Sequence, residues 1–384
     1  MRKIMSLLMC LCLLHGCTSV VPNSVKESSF TEDTEESTEE SETETTTAEP
    51  KDPIEEMIEG MTLEEKVCQM FIARCPAENQ TEILEKYPLG GYILFGRDFE
   101  GKTEEEVKSQ IESFQQASKI KMLIAVDEEG GSVVRVSRNE NLRDTPFKSP
   151  SQIYGEGGLE AVAEDTEEKS RLLLSLGINT NFAPVCDVTT DEQAFMYDRT
   201  LGMGAEDTAE YVKTVVQTMK KEGIASVLKH FPGYGNNGDS HESIITDERP
   251  LSDFESTDFV PFLEGIANGA DMVLISHNIV TAVDGEFPAS ISEKVHELLR
   301  NYLGFSGVIV TDDLIMKGLT DYAGEQSAAV LAVKAGNDLL CSTDFETQIE
   351  EVLTAVKNGE IAEERIDESV YRILKLKQNI GILE

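Results

Sequence analysis

From about residue 53 the sequence alternates between short, nearly continuous apolar runs and longer segments with helical periodicity. Runs that are apolar at every position suit strands buried on both faces, as in a parallel sheet covered by helices. Seven or eight such units in one domain favour an α/β fold of the (β/α)8 TIM-barrel type, over residues 53–384, rather than an open doubly wound sheet. No G-x-G-x-x-G or Walker motif follows any run, which argues against nucleotide binding.

The elements of this barrel can be placed on the sequence. Strands are predicted over residues 91–95, 122–127, 179–188, 225–230, 272–277, 308–312 and 338–341. Helices are predicted over residues 62–73, 104–119, 160–176, 205–222, 259–268, 293–302 and 327–335, and two more helices close the chain. In this assignment the run at 91–95 is the first strand and the run at 122–127 is the second.

The N-terminal residues have the pattern of a targeting segment. Two basic residues near the start precede an apolar stretch at residues 7–14, which is too short to span a bilayer. The sequence Leu-His-Gly-Cys at residues 14–17 resembles the lipobox of bacterial lipoproteins. We therefore predict a signal peptide over residues 1–17 and a lipid on Cys17, which would anchor the protein on the extracellular face of the membrane. An ordinary cleaved signal peptide is the alternative.

Residues 18–52 form an acidic segment rich in Ser, Thr and Glu, with almost no large apolar residue. Such a segment cannot bury enough surface to offset its chain entropy, so we predict a disordered tether; an acidic interaction tail is the alternative. It contributes to a net charge of −39 for the chain. This charge repels phosphates and no basic stripe offsets it, so nucleic acid is excluded as a partner.

Four of the seven cysteines, Cys68, Cys75, Cys186 and Cys341, belong to the predicted barrel domain. None of them has the C-x-x-C spacing of a zinc or redox site, and neither a metal nor another cofactor is predicted. Cys186 and Cys341 lie in strand-like runs and are expected in the core. A Cys68–Cys75 disulfide is one pairing that the sequence leaves open.

Polar residues stand where four of the apolar runs stop, at residues 127–131, 229–233, 276–277 and 312–313. In a TIM barrel the carboxyl ends of the strands form the active-site face. One such residue could be structural. Four groups of them on the same face of a barrel point to a catalytic site.

The chemistry of glycosidic bond cleavage fits two of these residue types. Cleavage with retention needs a carboxylate nucleophile and a proton donor about 5–5.5 Å away. Asp312 at a strand end is the candidate nucleophile, and Asp313 is interpreted as structural. His241 is the candidate donor, because imidazole titrates near neutral pH, and Asp239 can orient its ring. The alternatives are a helix-capping role for Asp312, the reverse assignment of the two aspartates, and a surface position for His241.

The other histidines leave further alternatives open. His277 either contacts substrate or fills the barrel mouth, and His296 lies on a predicted helix and is expected at the surface. A metal site built from His230, His241 and His277 with the aspartates is disfavoured, because these residues come from separate elements without metal-ligand spacing.

These motifs resemble those of glycoside hydrolase family 3, and specifically its β-N-acetylglucosaminidase branch, over residues 54–384. The most specific are Lys-His-Phe-Pro-Gly-Tyr-Gly at 229–235 and Asp-Ser-His at 239–241. Segments similar to the family's D-Q-E-G-G-x-V-x-R, A-P-V-x-D-V, R-S and S-D-D-L-x-M motifs occur at residues 127–135, 183–188, 197–199 and 311–316. The sequence departs from the family at Tyr234, where a histidine is usual, and in a catalytic loop that is one residue shorter.

The resemblance implies a role for each matching residue. Asp312 is the nucleophile, His241 is the acid/base, and Asp239 is the partner of His241. The sugar subsite is then formed by Asp127, Arg135, Arg199, Lys229 and His230. Charged groups of this kind can bind pairs of sugar hydroxyls. A barrel-interior ion pair is the alternative for Lys229 and His230.

The resemblance also implies an activity. The protein is expected to be a retaining β-N-acetylhexosaminidase that releases terminal, non-reducing β-N-acetylglucosamine from cell-wall fragments or glycoconjugates, through a glycosyl–aspartate intermediate. Family β-glucosidases usually take their acid/base from an additional domain, which is not found here, so this barrel must carry its own donor. A β-glycoside phosphorylase, a β-glucosidase and a non-enzymatic, sugar-binding surface lipoprotein are the alternatives. The expected partners are a carbohydrate and the membrane, and the expected state is a monomer.

Overall fold

The computed structural model describes residues 52–238 and 244–383, and its main feature is a parallel barrel. The strands are β1 (Phe71–Arg74), β2 (Gly91–Leu94), β3 (Leu123–Val126), β4 (Thr180–Asn181), β5 (Ala225–Phe231), β6 (Thr246–Asp247), β7 (Met272–Ile275), β8 (Ile279–Val280), β9 (Val308–Thr311) and β10 (Leu340–Ser342). Eight of them pair in parallel in the order β10-β1-β2-β3-β4-β5-β7-β9, and β6 pairs with β8. A bridge between Val310 and Leu339 brings the two ends of this sheet together. The predicted (β/α)8 barrel is confirmed.

Helices lie between the strands along the chain. They are α1 (Pro53–Glu59), α2 (Leu63–Gln69), α3 (Gln80–Lys86), α4 (Gly96–Phe99), α5 (Glu104–Ala117), α6 (Pro150–Ser175), α7 (Ala205–Glu222), α8 (Leu251–Asp253), α9 (Phe259–Ala267), α10 (Glu293–Glu297), α11 (Lys317–Ala323), α12 (Ala328–Ala335), α13 (Phe345–Lys357) and α14 (Glu363–Asn379). The π-helical segments Phe254–Asp258 and Leu298–Tyr302 continue α8 and α10, and short 3-10 segments occur at Tyr197–Arg199 and Ala289–Ile291.

Helix α5 illustrates how the sequence covers the sheet. A capping box begins the helix, and three apolar residues then recur every three or four positions, at Val107, Ile111 and Phe114. All three are buried. Phe114 packs edge-on against Tyr92 of β2, with 5.3 Å between ring centroids. Outward-facing strand residues therefore meet the helices, and inward-facing residues are left to fill the barrel and form its mouth.

The prediction of one helix over residues 62–73 was wrong in its second half. Helix α2 ends at Gln69, and the next apolar residues form β1, the first strand of the barrel. Periodicity cannot assign a short apolar run to helix or strand. The pairing of β1 with β10 and β2 decides the assignment here. The strands predicted as first and second are therefore β2 and β3.

Other predicted elements differ at their ends. The strand predicted over residues 179–188 is paired at Thr180–Asn181, with a further bridge between Val185 and Lys229. Helix α6 begins ten residues earlier than the predicted residue 160, and non-helical backbone at Gly157 and Gly158 separates its two parts. These differences lie in the covering elements and leave the order of the barrel strands unchanged.

Three predictions about buried and exposed side chains can be compared with the structure. All four barrel cysteines are buried and free, so Cys186 and Cys341 lie in the core as predicted and no Cys68–Cys75 disulfide forms. The expected surface position of His296 was wrong. Its ring packs against Gly336, and only 3% of the residue is exposed. Burial lowers the pKa of His296.

The signal peptide predicted over residues 1–17, its Cys17, and the tether predicted over 18–52, apart from its last residue, lie outside the described residues. These assignments stay predictions. Among the helices of residues 52–238 and 244–383, none combines the length and the apolar character needed to cross a bilayer.

Candidate active site

Glu129 is the centre of a buried charge network at the carboxyl ends of β3, β4 and β5. Lys229 Nζ lies 2.6 Å from Glu129 Oε1. The Arg199 guanidinium binds both oxygens of the same carboxylate, with its Nε at 2.9 Å from Oε2 and its Nη2 at 2.8 Å from Oε1. Burial opposes ionisation of Glu129, but the charges of Lys229 and Arg199 hold the pKa of its carboxyl well below the usual range. Glu129 and Arg199 are therefore charged at neutral pH.

Asp127 extends this network towards the opening of the barrel. Its Oδ1 accepts a hydrogen bond from Lys229 Nζ at 2.7 Å, and its Oδ2 lies 3.5 Å from Arg135 Nη2. The side chains of Asp127 and Arg135 are 16% and 24% exposed, whereas those of Lys229 and Glu129 are 2% and 1% exposed. The outer groups can thus reach a ligand, and the inner ion pair fixes their positions.

His230 is oriented by Asp187, in the loop after β4. Asp187 Oδ2 lies 2.8 Å from His230 Nδ1 and accepts the His230 backbone N–H at 3.1 Å. Asp187 Oδ1 accepts the backbone N–H of Tyr234 at 2.8 Å. The other ring nitrogen, Nε2, is 3.2 Å from Arg199 Nη2. Because a guanidinium can only donate, Nε2 accepts in this contact, which favours the tautomer with its proton on Nδ1, directed at Asp187.

Glu128 holds the loop that carries Arg135. It is fully buried. Its Oε2 accepts the backbone N–H groups of Arg135 and Val136 at 2.7 Å each, and its Oε1 accepts the Ser137 hydroxyl at 2.5 Å. Asn181, at the end of β4, accepts from the Glu128 N–H at 2.9 Å and donates to its carbonyl at 3.1 Å. The buried Glu128 carboxylate therefore fixes the backbone from which the Arg135 side chain extends.

The strand register identifies which side chains face the interior of the barrel, because paired residues of a parallel sheet point to the same side. Pairing from strand to strand gives one such series, which is Arg74, Ile93, Ala125, Thr180 and Ala225. Val227 lies two residues after Ala225 on β5 and points to the same side. It begins a second series, which continues through Met272 and Val308. Side chains alternate along a strand, so residues two or four positions further on keep the same orientation. Asp127, Lys229 and Asp312 stand at these positions and face the same mouth.

Asp312 and its neighbour differ in their contacts. Both oxygens of Asp313 are used by the surrounding structure, since Oδ1 accepts the N–H groups of Ile315 and Thr343 at 3.2 and 3.1 Å and Oδ2 accepts the Thr343 hydroxyl at 2.5 Å. Asp312 is partly exposed, and its Oδ1 accepts the Asp313 N–H at 2.8 Å. The contacts of Asp313 support its structural interpretation, and both aspartates are partly exposed.

The electrostatic surroundings of Cys341 connect Asp312 with the network. Burial, followed by the charges of Asp313, Asp312 and Asp127, raises the pKa of the Cys341 thiol well above its ordinary value, and Arg74 opposes this rise. One thiol of β10 is therefore influenced by carboxylates that directly follow β3 and β9 and by a guanidinium of β1. This proximity agrees with the inward orientation given by the register.

His277 lies beside the backbone of Asp313 at the barrel mouth. It is buried, with Nδ1 at 2.7 Å from the Ser290 hydroxyl and Nε2 at 3.1 Å from the Asp313 carbonyl. The carbonyl accepts, so Nε2 carries a proton there. Of the two interpretations left open, filling of the barrel mouth fits these contacts.

Asp239 and His241 lie outside the described residues, but the chain is held on both sides of them. Asn237 Nδ2 donates to Asp247 Oδ2 at 2.7 Å and to the Tyr234 carbonyl at 3.0 Å. Asp247 belongs to β6 and is buried. A hydrogen bond between Asn237 and Asp247 therefore joins the described residues on the two sides of the proposed proton donor.

Arg249 fixes the position of Asp247, the acceptor of this hydrogen bond. Its guanidinium lies between two buried carboxylates, with Nη2 at 2.8 Å from Asp247 Oδ2 and Nη1 at 2.7 Å from Asp258 Oδ2. Gly235, with φ of +54°, lies directly on this guanidinium, and a Cβ at that position would stand 2.7 Å from Arg249 Cζ. Only glycine meets both the backbone angle and the close approach.

A comparison of the sequence with models of protein families agrees with the motifs. The model of the glycosyl hydrolase family 3 N terminal domain matches residues 62–376. The chain belongs to glycosyl hydrolase family 3. The matched region runs from the start of α2 into α14, so it includes every strand of the family 3 barrel described above.

Several family 3 proteins are similar to this chain. The β-hexosaminidase of Methylobacillus flagellatus is 34% identical over 279 residues, which cover 71% of this chain and 78% of that protein. The β-hexosaminidase LpqI of Mycobacterium tuberculosis is 29% identical over 331 residues, or 82% of each chain. The solved family 3 β-N-acetylglucosaminidase of Paenibacillus sp. str. FPU-7 has a TM-score of 0.78 and 33% identity over 84% of this chain, which spans only 63% of that structure. The structure of M. tuberculosis LpqI has a TM-score of 0.77 and 26% identity, covering 84% of this chain and 96% of LpqI.

The structure unites the five residues predicted for the sugar subsite, Asp127, Arg135, Arg199, Lys229 and His230, in one network. Sequence reasoning missed the groups that join them, namely Glu128, Glu129 and Asp187. A signal was present, because a run of three acidic residues directly after an apolar strand must be buried in part, and buried carboxylates need cationic or N–H partners. Lys229 forms the interior ion pairs given as one alternative, and its role as a substrate ligand stays a prediction.

The metal site considered from the sequence includes His241, which lies outside the described residues. Within residues 52–238 and 244–383, no three His, Cys, Asp or Glu side chains are grouped so that they could hold a metal ion. In the described part of the mouth, Asp127 and Glu129 are paired with Lys229, Arg135 and Arg199.

Proposed function

We propose that this family 3 protein is a retaining β-N-acetylhexosaminidase, which hydrolyses terminal, non-reducing β-N-acetylglucosamine from cell-wall fragments or glycoconjugates. The observation that carries the proposal is that Asp312 and the Glu129-centred network face the same barrel mouth. The similarity to proteins named β-hexosaminidase supports the substrate class. The chain also covers 96% of the solved structure of LpqI.

The proposed reaction takes two steps. The Asp312 carboxylate attacks the anomeric carbon while His241 donates a proton to the glycosidic oxygen, so that bond breaks and a glycosyl ester of Asp312 forms. His241 then removes a proton from water, whose oxygen attacks the same carbon and releases Asp312 with overall retention. Asp239 holds the imidazole and stabilises its protonated form, as the orienting acid does in a serine triad.

The network would bind the sugar during both steps. Asp127 offers carboxylate oxygens to hydroxyl donors, whereas Arg199, Arg135 and Lys229 offer donors to hydroxyl oxygens. Because Glu129 and Asp187 already fix the cations and the His230 ring, these groups need no reorganisation when substrate arrives. Donors and acceptors held in place before the reaction stabilise the transition state more than mobile ones do.

The nucleophile can be tested by the Asp312→Asn variant. We expect its kcat on an aryl N-acetylglucosaminide to fall by about four orders of magnitude or more, as when an essential covalent nucleophile is removed elsewhere. Asp321→Asn, which alters a 63% exposed carboxylate on α11, is the matched control and should keep wild-type kcat. A 2-fluoro sugar should label the peptide that contains Asp312. Label on another peptide, or near-normal turnover by Asp312→Asn, would refute the assignment.

The substrate class can be tested with aryl glycosides that differ only at the 2-position. A hexosaminidase should show a kcat/KM for the N-acetyl compound well above that for the 2-hydroxy compound. Equal or reversed values would favour the β-glucosidase alternative, and binding without turnover of either would favour a sugar-binding protein.

We also propose that the protein is tethered to the extracellular face of the membrane by a lipid on Cys17, through residues 18–52. A relative from Arthroderma benhamiae that is 28% identical is named a secreted glycosyl hydrolase, which supports a position outside the cytoplasm. The Cys17→Ser variant should leave the membrane fraction for the medium while keeping its kcat. Retention of that variant in the membrane would contradict the lipid anchor.

A further inference from the structure

An exposed pair of aromatic rings lies outside the charge network, on the connections that follow β7 and β9. The rings of Phe287 and Tyr322 meet edge-on, with 6.3 Å between their centroids. They are 36% and 37% exposed, although aromatic side chains usually bury most of their surface. The Tyr322 hydroxyl donates to the Glu286 carbonyl at 2.6 Å, so the two connections are joined beside the rings. Adjacent apolar groups that stay exposed are typical of a binding surface.

Both connections leave the barrel at its carboxyl face. Phe287 lies between β7 and α10, and Tyr322 belongs to α11, between β9 and α12. Strands β7 and β9 pair in parallel, so the two connections start at the carboxyl ends of neighbouring strands. The aromatic pair therefore belongs to the same face of the barrel as the Glu129-centred network, which lies at the ends of β3, β4 and β5.

Tyr322 is linked to the proposed nucleophile by a short, hydrogen-bonded segment. Asp312 directly follows β9, and the carbonyl of the next residue, Asp313, accepts the Met316 N–H at 3.0 Å. The Met316 carbonyl in turn accepts the Thr320 N–H at 3.1 Å, in the first turn of α11. Tyr322 therefore stands on a helix whose start is fixed next to Asp312.

Phe287 is linked in a similar way to the stretch that contains the proposed proton donor, His241. Strand β8, in the connection that carries Phe287, pairs with β6, which follows that stretch. Just before β6, the Ile245 carbonyl accepts the Ile279 N–H at 2.8 Å. The chain after His241 is therefore held by the connection that carries Phe287.

The part of this connection next to Phe287 is also fixed. The Ala289 N–H donates to the Asn278 carbonyl at 2.8 Å, and the Ser290 N–H donates to the Ser276 carbonyl at 3.1 Å. These bonds close the connection on itself. The Phe287 ring thus extends from an ordered backbone, and binding a ligand there costs little entropy for ordering the protein.

These links indicate which part of a substrate would meet the rings. In the proposed reaction His241 protonates the oxygen of the leaving group, so this group lies on the side of His241. The sugar that becomes bonded to Asp312 is held by the network at β3, β4 and β5. The leaving group then extends towards the connections after β7 and β9. A pyranose has C–H groups on its faces and hydroxyls at its edges, so a face can pack on an aromatic ring while the hydroxyls stay hydrated.

The charges near the rings fit a contact of this kind. Lys317 and Asp321 are the charged residues of α11, and they pair with each other at 2.8 Å. The helix therefore presents no net charge beside Tyr322. Recognition at this place depends on the rings themselves and not on an ionic group of the ligand.

We propose that Phe287 and Tyr322 form an aromatic platform on which the sugar of the leaving group stacks. The proposal rests on the proposed glycosidase function and adds a substrate property to it. The enzyme selects a β-linked sugar ring at the leaving position over a small alkyl group.

The platform is tested by the ratio of two kcat/KM values, one for a β-linked disaccharide and one for the methyl β-glycoside of the same sugar. In Phe287→Ala and in Tyr322→Ala we expect this ratio to fall by about fivefold or more, because each variant removes one ring from the stack. Tyr322→Phe retains its ring and should keep most of the ratio. Tyr302→Ala removes a 59% exposed ring from the π-helical segment after α10 and should keep the wild-type ratio. Both substrates are measured on one preparation, so a change in the folded fraction leaves the ratio unaffected.

Two substrate series, one of N-acetylglucosamine and one of glucose, separate this proposal from the proposed function. The ratio is measured in whichever series the enzyme cleaves, so a wrong substrate class leaves the test of the platform intact. If the enzyme cleaves neither, dissociation constants from calorimetry give the same ratio, and absence of binding in both series overturns the platform.

An unchanged ratio in both alanine variants also overturns the platform, even if the glycosidase activity is as proposed. A sedimentation coefficient that changes in Phe287→Ala at an unchanged ratio would assign the rings to a contact between two copies of the chain instead.

Discussion

Two buried clusters of arginine and carboxylate lie at opposite ends of the same barrel. They differ in whether their side chains reach the opening of the barrel. At the mouth, Glu129 is bound by Lys229 and Arg199, and this cluster continues outwards to the partly exposed Asp127. At the other end, Asp338 precedes β10 and is fully buried. Its oxygens accept from Arg300 Nη2 at 2.5 Å, Arg372 Nη1 at 2.9 Å, the Ser369 hydroxyl at 2.9 Å and the Ile309 N–H at 3.0 Å.

One cluster stabilises the fold, and the other positions side chains for ligand binding. The Asp338 cluster joins a strand end to the π-helical segment after α10 and to α14, so every partner is a structural element brought from elsewhere in the sequence. The Glu129 cluster fixes side chains whose outer edges still face the opening. In TIM barrels the carboxyl face is catalytic and the amino face contributes stability. The same ion-pair chemistry is thus used for ligand binding at one end and for holding the fold at the other.

The largest effect that would test this contrast is expected for Glu129→Gln. Loss of this charge leaves Arg199 without its carboxylate and Lys229 with Asp127 alone, and breaking a buried pair costs about 3–5 kcal/mol of stability. Because the Lys229 and Arg199 side chains also lose their fixed positions at the proposed sugar subsite, we expect kcat/KM to fall by about a hundredfold or more in the protein that remains folded. Steady-state kinetics at a temperature well below the unfolding midpoint measure this. If only the melting temperature falls and kcat/KM is kept, the mouth cluster is structural and the contrast is broken.

Asp338→Asn should show the opposite behaviour. Its three arginines lose their common carboxylate, and the free energy of unfolding should fall by about 3–5 kcal/mol. Denaturant unfolding measures this loss, with Asp321→Asn as the exposed control. The folded fraction should keep the wild-type KM and kcat, and a change in KM would mean that the amino end of the barrel communicates with the site.

The amino end of the barrel also carries a pH dependence. Lys377 of α14 is fully buried, its Nζ donates to Gln69 Oε1 at 2.7 Å, and burial lowers its pKa from 10.5 to about 7. Between about pH 7 and 10.5 the unfolded chain therefore binds a proton that the folded protein does not, so stability rises with pH across this window. Relative to Lys377→Met, the wild type should gain about 1.4 kcal/mol per pH unit from about pH 7 to 9.

Unfolding free energies of the two proteins at pH 7, 8 and 9 measure this slope. Lys375→Met, which alters an exposed lysine of the same helix, should run parallel to the wild type. A pH-independent difference between Lys377→Met and the wild type would mean that Lys377 keeps its ordinary titration.

The smallest effect concerns the hydrogen bond between Asn237 and Asp247, which joins the two ends of the stretch carrying His241. In Asn237→Ala the proposed proton donor is less well placed, so kcat/KM for a substrate with a poor leaving group should fall by about tenfold, within the range of general acid catalysis. A dinitrophenyl leaving group needs no proton, and its kcat/KM should change much less. Asn141→Ala, an exposed asparagine, is the control. Equal losses on both substrates would assign the bond to stability, like the contacts at the other end of the barrel.

Much of the fold could be predicted because its signals are local. Helix α7 was predicted over residues 205–222 and is found there, since its apolar face and the following Gly223 mark it within one segment. The polar residues at the ends of β3, β5 and β9 identified the candidate site for the same reason. The run at Phe71–Arg74 was misassigned, because a few apolar residues fit a helix or a strand equally well and only pairing partners decide between them.

The sequence by itself determined that this chain alternates strands and helices, that its strand ends carry the family 3 motifs, and which side chains are chemically fit to cleave a glycosidic bond. Only the tertiary structure decided how these side chains are paired. Lys229 meets Asp127 across 102 positions of sequence, and Arg199 meets Glu129 across 70. Such pairs depend on strand order and register, which arise from the closure of the whole barrel. For that reason no local sequence pattern could show that Arg199 is committed to Glu129.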